Sequence, residues 1–258
     1  MEFIKLFPKI HVYKNLLPNV EELVSILKES ENDPNTSYLF KDWRPWSFFG
    51  TYVYQIDNDI INSNTKDEKL IKEIKYLDLV KKAFFDSTFN FLNEYKLEVP
   101  EDWQLMGPSF SRYTPDEKEE GRVGSGMSMS RHTDYVPWMK GVPGYKFGLT
   151  CTMYLNDDYE GGEISFKVGK DYIDYKPVAG DVLVFPSGHP DFLSEDNPYL
   201  HGVKKIKGND RYLIRCFYKF FDPGSKEWHE GKEKYGEELW GKMEEERIER
   251  DMKKYDFK

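Results

Sequence analysis

Ser128-Met129-Ser130-Arg131-His132-Thr133-Asp134 is the stretch on which the reading of this chain turns. In a β-strand, side chains two residues apart leave the same face, so His132 and Asp134 would enter one space, roughly 7 Å apart along the backbone. Two ligands from one strand end can share a metal ion. A third is offered by His201, near the start of Tyr199-Leu200-His201-Gly202-Val203, a short apolar run bounded by turn residues. Two imidazoles and one carboxylate on one side of an ion, with the remaining positions open, suit non-haem Fe(II) oxygen chemistry. The chain has only five histidines, His11, His132, His189, His201 and His229, so two of the five fall where this reading needs them. His189, in Ser187-Gly188-His189-Pro190, is the rival third ligand, though it follows a turn dipeptide rather than opening a strand.

Around this stretch the pattern is that of a sheet. Short β runs separated by turns occupy Gln104 to Tyr113, Met127 to Arg131, Phe147 to Asn156, Glu163 to Val168, Tyr172 to Lys176, Asp181 to Phe185, Tyr199 to Ile206 and Arg211 to Phe220. Gly161-Gly162, Gly180-Asp181 and Gly208-Asn209-Asp210 supply the turn chemistry, and Asp157-Asp158 with Glu160 reads as a solvated hairpin turn. The spacing predicts an antiparallel barrel or jelly roll. Upstream, a short strand around Ile10 to Tyr13 precedes an amphipathic helix capped at Pro18-Asn19, Ser47 to Ile56 is β-rich, and Lys66 to Tyr95 has helical spacing over one long or broken helix. Downstream of Lys226, Trp228, Tyr235, Leu239, Met243, Ile248, Met252 and Tyr255 recur among charges, predicting a surface helix laid on the body. The acidic and glycine-rich stretch from Pro115 to Gly126 reads as a mobile loop, and Trp43, Trp46 and Trp138 as a candidate substrate rim.

Composition narrows the partners. Hydrophobic residues at 39% and aromatics at 16% argue for a folded core despite 32% charged residues. A net charge of −9 opposes a phosphate backbone, so no nucleic-acid partner is expected. No run approaches membrane-spanning length, and Cys151 and Cys216, the only cysteines, sit in apolar strand-like runs where buried thiols on neighbouring strands fit a reducing compartment. The expected location is the cytoplasm.

Arg211 lies ten residues after His201, across the turn Lys207 to Asp210, which predicts adjacent antiparallel strands for the two. A guanidinium there would suit a two-pronged grip on a carboxylate. Arg215 shares the face of Arg211 by alternation and competes for that role.

Taken in order, His132-x-Asp134, the Gly-Gly hairpin of YLNDDYEGGEISF, PVAGDVLVFPS, His201-Gly202-Val203 and Gly208-Asn209-Asp210-Arg211-Tyr212 resemble the 2-oxoglutarate and Fe(II)-dependent oxygenases, and more narrowly their prolyl 4-hydroxylase-like branch. The resemblance covers about Gln104 to Phe220. It implies an α+β, mainly β fold: a double-stranded β-helix, or jelly-roll barrel, with supporting N-terminal helices and a C-terminal helix. The whole of 1–258 would be one oxygenase domain, with 1–100 as support, 101–222 as catalytic core and 223–258 as a helical extension. It further implies Fe(II) held by His132, Asp134 and His201, with Arg211 gripping the distal carboxylate of 2-oxoglutarate. Tyr154 would bond the same carboxylate, and Tyr113 would line that pocket.

The activity so implied is that of a dioxygenase. With O2, and with ascorbate as reductant, 2-oxoglutarate would give succinate and CO2 while a C–H bond is hydroxylated. Halogenating relatives lack the carboxylate that Asp134 supplies, which favours hydroxylation. The expected substrate is a proline in a peptide or protein, or else a free amino acid or other small molecule. A cupin-like barrel that only binds a ligand, and metal-dependent hydrolysis or isomerisation, are the competing classes. The chain departs from the family in its longer, more acidic segment between Tyr113 and His132, and in Arg215, where many relatives carry a smaller or apolar residue. Oligomeric state has no signature in the sequence.

Overall fold

The structure, a computed structural model, describes residues 1–32, 44–46, 51–54, 66–96, 104–115, 127–134, 145–187, 199–221, 230–243 and 246. Most of the Pro115 to Gly126 loop, the Pro137 to Gly144 loop, Trp43, Trp138, Trp228 and His189 lie outside these residues, and of Trp46 only its place in a strand is described.

Strands β1 (Phe3–Phe7), β2 (Ile10–Tyr13), β3 (Arg44–Trp46), β4 (Thr51–Tyr54), β5 (Gln104–Tyr113), β7 (Tyr145–Tyr154), β11 (Val182–Pro186) and β14 (Arg211–Phe221) form one sheet in the order β1-β2-β11-β7-β14-β5-β4-β3. A smaller sheet, in the order β10-β9-β12-β6, takes β6 (Met127–His132), β9 (Ile164–Val168), β10 (Asp171–Tyr175) and β12 (His201–Lys204). β8 (Glu160–Gly161) and β13 (Ile206–Lys207) pair separately. Every pairing is antiparallel, from β1 with β2 through β14 with β5 and β7.

Period-two alternation splits the large sheet into two faces. Tyr13, Cys151, Met153, Val182, Val184, Tyr212, Ile214, Cys216 and Tyr218 join a core with α1 (Val20–Asn32) and α2 (Glu68–Glu94). The helices contribute Leu23, Val24 and Leu27, and Leu77, Val80, Ala83, Phe84 and Phe91, at the three- and four-residue spacing of one helical stripe. Each such large side chain, fully buried, stabilises by roughly 1.5–3 kcal/mol. On the opposite face Ile10, Val12, Tyr154, Leu183, Phe185 and Leu213 meet Ile164, Phe166 and Val203 of the small sheet in a second core.

α2 begins where Asp67, in extended backbone, accepts from the amides of Lys69 (2.9 Å) and Leu70 (3.2 Å), a side-chain cap for otherwise unpaired donors. It runs unbroken. At the start of α1, Asn19 takes φ +55° and its backbone carbonyl accepts from the Glu22 amide at 3.1 Å. β1 was not expected, because Phe3–Phe7 carries no clean alternation to mark it.

Three further expectations need correction. β12 and β14 are not neighbours: β12 pairs with β6 and β9, β14 with β5 and β7, so the turn between them carries the chain from the small sheet to the large one. The strands do not close into one hydrogen-bonded barrel among the described residues; the two sheets face each other instead. Lastly, the single surface helix expected after Lys226 appears as two helical segments, 230–235 and 237–243, broken at Gly236, whose φ is +78°. Trp240 stacks on Tyr235 at 5.8 Å and covers Gly231, while Tyr235, Leu239 and Met243 remain exposed. Cys151 and Cys216 are buried free thiols facing each other in register on β7 and β14, as neighbouring strands require. No helix among the described residues is long and apolar enough to cross a membrane.

Candidate metal centre and carboxylate pocket

His132 closes β6 and His201 opens β12, and the two stand opposite each other in register with ring centroids 4.6 Å apart. Asp134 lies two residues beyond His132, in a bend past the strand end. Its Oδ1 is 3.4 Å from His132 Nε2 and its Oδ2 is 3.6 Å from His201 Nε2. One ligand atom from each of the three residues fits within 4.8 Å of the others, so the side chains converge as a single metal site requires.

The same device orients both imidazoles. Nδ1–H of His132 donates to the Ser130 carbonyl, and Nδ1–H of His201 to the Tyr199 carbonyl, each at 2.9 Å and each two residues back. That bond fixes the tautomer and leaves the Nε2 lone pair aimed at the shared space. Phe185 (4.9 Å) and Phe166 (5.6 Å) pack on the His201 ring. Burial pushes the His201 imidazole down to about 4, so it is neutral, the form that binds metal. Burial works against the Asp134 carboxylate too, but the two imidazoles and the Thr150 hydroxyl outweigh it and hold the group ionised below the usual carboxylate range. Thr150 donates to Asp134 Oδ2 at 2.8 Å and shares a hydrogen bond with Ser187 at 3.0 Å.

A second cluster lies on the same inner face of the large sheet, four residues further along β7 from Thr150. Arg211 is 1% exposed, and its guanidinium carbon stands 5.2 Å from the Tyr154 ring, 5.7 Å from Tyr113 and 5.9 Å from Tyr159. Arg211 Nε and Nη1 and the hydroxyls of Tyr154 and Tyr159 are buried without a hydrogen-bond partner among the described residues. Buried polar atoms are rarely left so. A cation with unmet donors beside phenols fits a ligand carboxylate, which accepts at two oxygens. Arg215, also inward on β14, stands instead in register with Thr152 and Ser109 and donates to the Ser111 hydroxyl at 3.4 Å. Of the two arginines, Arg211 therefore occupies the tyrosine-lined pocket, while the charge of Arg215 acts on both metal-site imidazoles.

The sequence pattern thus located six residues that the fold gathers into two clusters: His132, Asp134 and His201, and Arg211, Tyr154 and Tyr113. It missed Thr150, whose alternation with Tyr154 places it on the inner face, and Tyr159, whose neighbours Asp157, Asp158 and Glu160 made it read as part of a solvated turn. The position of Tyr159 comes from long-range bonds. Asn156 donates to the Asp210 carbonyl at 2.8 Å and accepts from the Tyr212 amide at 2.7 Å, and Asn209 donates to the Asp158 carbonyl at 2.9 Å, so the hairpin is fastened to the turn that precedes Arg211.

Several known proteins are similar to this chain. A PKHD-type hydroxylase of Sphingopyxis alaskensis is 24% identical over 180 residues, covering 67% of this chain and 70% of its own. Among solved structures, the dioxygenase for auxin oxidation 1 from Arabidopsis thaliana, in complex with 2-oxoglutarate, aligns with a TM-score of 0.53 at 12% identity, over 84% of this chain and 87% of that one. The viral collagen prolyl hydroxylase from Paramecium Bursaria Chlorella virus-1 aligns with a TM-score of 0.48 at 16% identity, over 82% and 96%. The sequence profile of the 2OG-Fe(II) oxygenase superfamily matches residues 111–219, the span that holds both clusters. Together with the His-Asp-His arrangement this match implies Fe(II) and 2-oxoglutarate as cofactor and cosubstrate, and residues 111–219 are similar to the 2OG-Fe(II) oxygenase superfamily.

Proposed function

We propose that this oxygenase hydroxylates a C–H bond in the manner of the prolyl 4-hydroxylases, on a proline within a peptide or protein. The observation that carries hydroxylase chemistry is the convergence of His132, Asp134 and His201 within 4.8 Å, with both Nε2 atoms freed by Nδ1 bonds to carbonyls. In this reading these three side chains ligate Fe(II), and Arg211, with Tyr154, takes the distal carboxylate of 2-oxoglutarate. The iron and its cosubstrate supply the oxidative chemistry, in which 2-oxoglutarate is decarboxylated to succinate as O2 is consumed and a hydroxyl is placed on the substrate. The protein's part is geometric and electrostatic. Asp134 provides the anionic ligand, with Thr150 holding its orientation, and Phe166 and Phe185 keep water from the His201 side. The sequence motifs support the prolyl branch, and the PKHD-type relative is named as a hydroxylase. The double-stranded β-helix and a single catalytic unit spanning 1–258 belong to the same reading, supported by the facing antiparallel sheets and by the oxygenase of similar fold.

A small substrate bearing an acid group is the second reading, favoured by Arg215, an inward cation whose field reaches the metal-site imidazoles. The test is succinate release with Fe(II), ascorbate and 2-oxoglutarate, followed by mass spectrometry of proline peptides and of free amino acids for the gain of one oxygen atom. Oxygen-dependent succinate release with oxidised peptide supports the first reading, and oxidation of only the small acids supports the second. Silence in every assay would leave a binding protein, whereas turnover of a candidate substrate without O2 would point to hydrolysis or isomerisation.

A further inference from the structure

The cluster around Arg211 holds one more hydroxyl than the sequence motifs account for. Tyr159 is 5% exposed, its hydroxyl is buried beside Arg211 with no well-formed hydrogen bond among the described residues, and its ring lies 5.9 Å from the Arg211 guanidinium carbon. Burial pushes its ionisation upward, so at neutral pH it is an O–H with a proton to donate.

The surroundings fix this ring in one place. Lys176 Nζ stands 4.1 Å from its centroid and donates to the Tyr159 carbonyl at 2.8 Å and to the Gly161 carbonyl. On another side is Gly162, at φ +70°, where a Cβ would come within 2.7 Å of Tyr159 Cε2. That glycine serves twice, since its backbone conformation disfavours L side chains and its missing side chain makes room for the phenol. With the hairpin fastened to the turn before Arg211 through Asn156 and Asn209, the Tyr159 ring and the arginine are held as one assembly.

We infer that Tyr159 donates a hydrogen bond to the distal carboxylate of 2-oxoglutarate, alongside Arg211 and Tyr154, and that Lys176 is a positioning residue for it. The inference rests on the oxygenase reading above. A carboxylate can accept about four hydrogen bonds. Around Arg211, four buried atoms lack a well-formed hydrogen bond among the described residues: Arg211 Nε, Arg211 Nη1, Tyr154 Oη and Tyr159 Oη. One terminal carboxylate would satisfy the set, and a ligand with a methyl group at that end would leave it unmet.

The test is anaerobic calorimetry of the full-length Fe(II)-loaded protein with two probes. One is 2-oxoglutarate, the other 2-oxopentanoate, which keeps the carbon chain and the chelating end but has a methyl in place of the distal carboxylate. Tyr159→Phe, which keeps the ring and removes the hydroxyl, is expected to weaken 2-oxoglutarate about tenfold or more while leaving 2-oxopentanoate unchanged. Lys176→Met is expected to shift 2-oxoglutarate in the same direction by less, and Lys176→Arg to stay near wild type. If Tyr159 serves only to pack the guanidinium, Tyr159→Phe binds both probes like wild type while Tyr159→Leu weakens 2-oxoglutarate, and the inference is overturned. Equal weakening of both probes by Tyr159→Phe overturns it as well, by locating the defect in the fold. A wild-type protein that binds neither keto acid removes the oxygenase reading itself, a different failure.

Discussion

The two faces of the large sheet are built from alternate residues of the same strands and serve opposite ends. Toward the helices, Met153, Val184, Ile214 and Tyr212 meet Leu77, Val80 and Phe84 in a continuous apolar layer. Toward the small sheet, the same strands present Thr150, Thr152, Tyr154, Arg211 and Arg215, and among the described residues the Tyr154 hydroxyl and two nitrogens of the buried Arg211 lack hydrogen-bond partners. A buried charge with unmet donors destabilises a fold, and among the described residues the inner face leaves such donors on Arg211. The outer face supplies the stability that permits this.

Substitutions on the two faces should therefore fail differently. Phe84→Ala, on the helix side, is expected to lower unfolding free energy by about 3–5 kcal/mol, read by urea denaturation, while the folded fraction keeps its affinity for 2-oxoglutarate. A parallel loss of affinity would mean that the faces are coupled. Arg211→Met should do the reverse. Removing the buried cation is expected to weaken 2-oxoglutarate by about 2–5 kcal/mol and yet to raise the melting temperature of the ligand-free protein. Should Arg215→Met show this pair of effects instead, the roles of the two arginines would be exchanged.

The helix side also carries a histidine. His11 is fully buried, stacked on Phe3 at 4.8 Å, and shares a hydrogen bond with the Tyr95 hydroxyl at 2.7 Å. Burial first, with Lys5 adding to it, pushes its imidazole down to about 4. Because the folded value lies below the ordinary value of about 6.5, its contribution is fully present above that pH and is lost as pH falls toward 4. A loss on the order of 2–3 kcal/mol across that window is expected in the apoprotein, and His11→Phe should flatten it. An unchanged slope in that variant would assign the acid sensitivity elsewhere. The smallest effect expected is that of Thr150→Val, which removes the bond to Asp134 Oδ2 and should weaken Fe(II) binding about 10–100-fold without loss of fold.

Legibility in the sequence followed the range of the interactions. His132, Asp134, His201, Arg211, Tyr154 and Tyr113 could be marked because strand alternation and motif order are local, and helix α2 because its stripe and the Asp67 cap are local as well. What the sequence did not reveal depends on contacts distant in the chain. The turn after His201 looks like a hairpin, but Ile206 and Lys207 pair with Gly161 and Glu160, so the chain changes sheet there. Tyr159 looks like a turn residue until Asn156 and Asn209 tie its hairpin down. After Lys226, helical periodicity gave no sign that Gly236 would break the run and leave Leu239 and Met243 uncovered.

In the proposed function, His132, Asp134 and His201 hold one iron next to a keto-acid site at Arg211. The most direct test of this is an anaerobic titration of the metal-free protein with Fe(II) and then 2-oxoglutarate, followed by visible absorption and metal analysis. The wild type is expected to bind one Fe(II) per chain and to develop a charge-transfer band on adding the keto acid, and His201→Ala to do neither. Iron uptake and the same band in His201→Ala would show that the metal sits elsewhere.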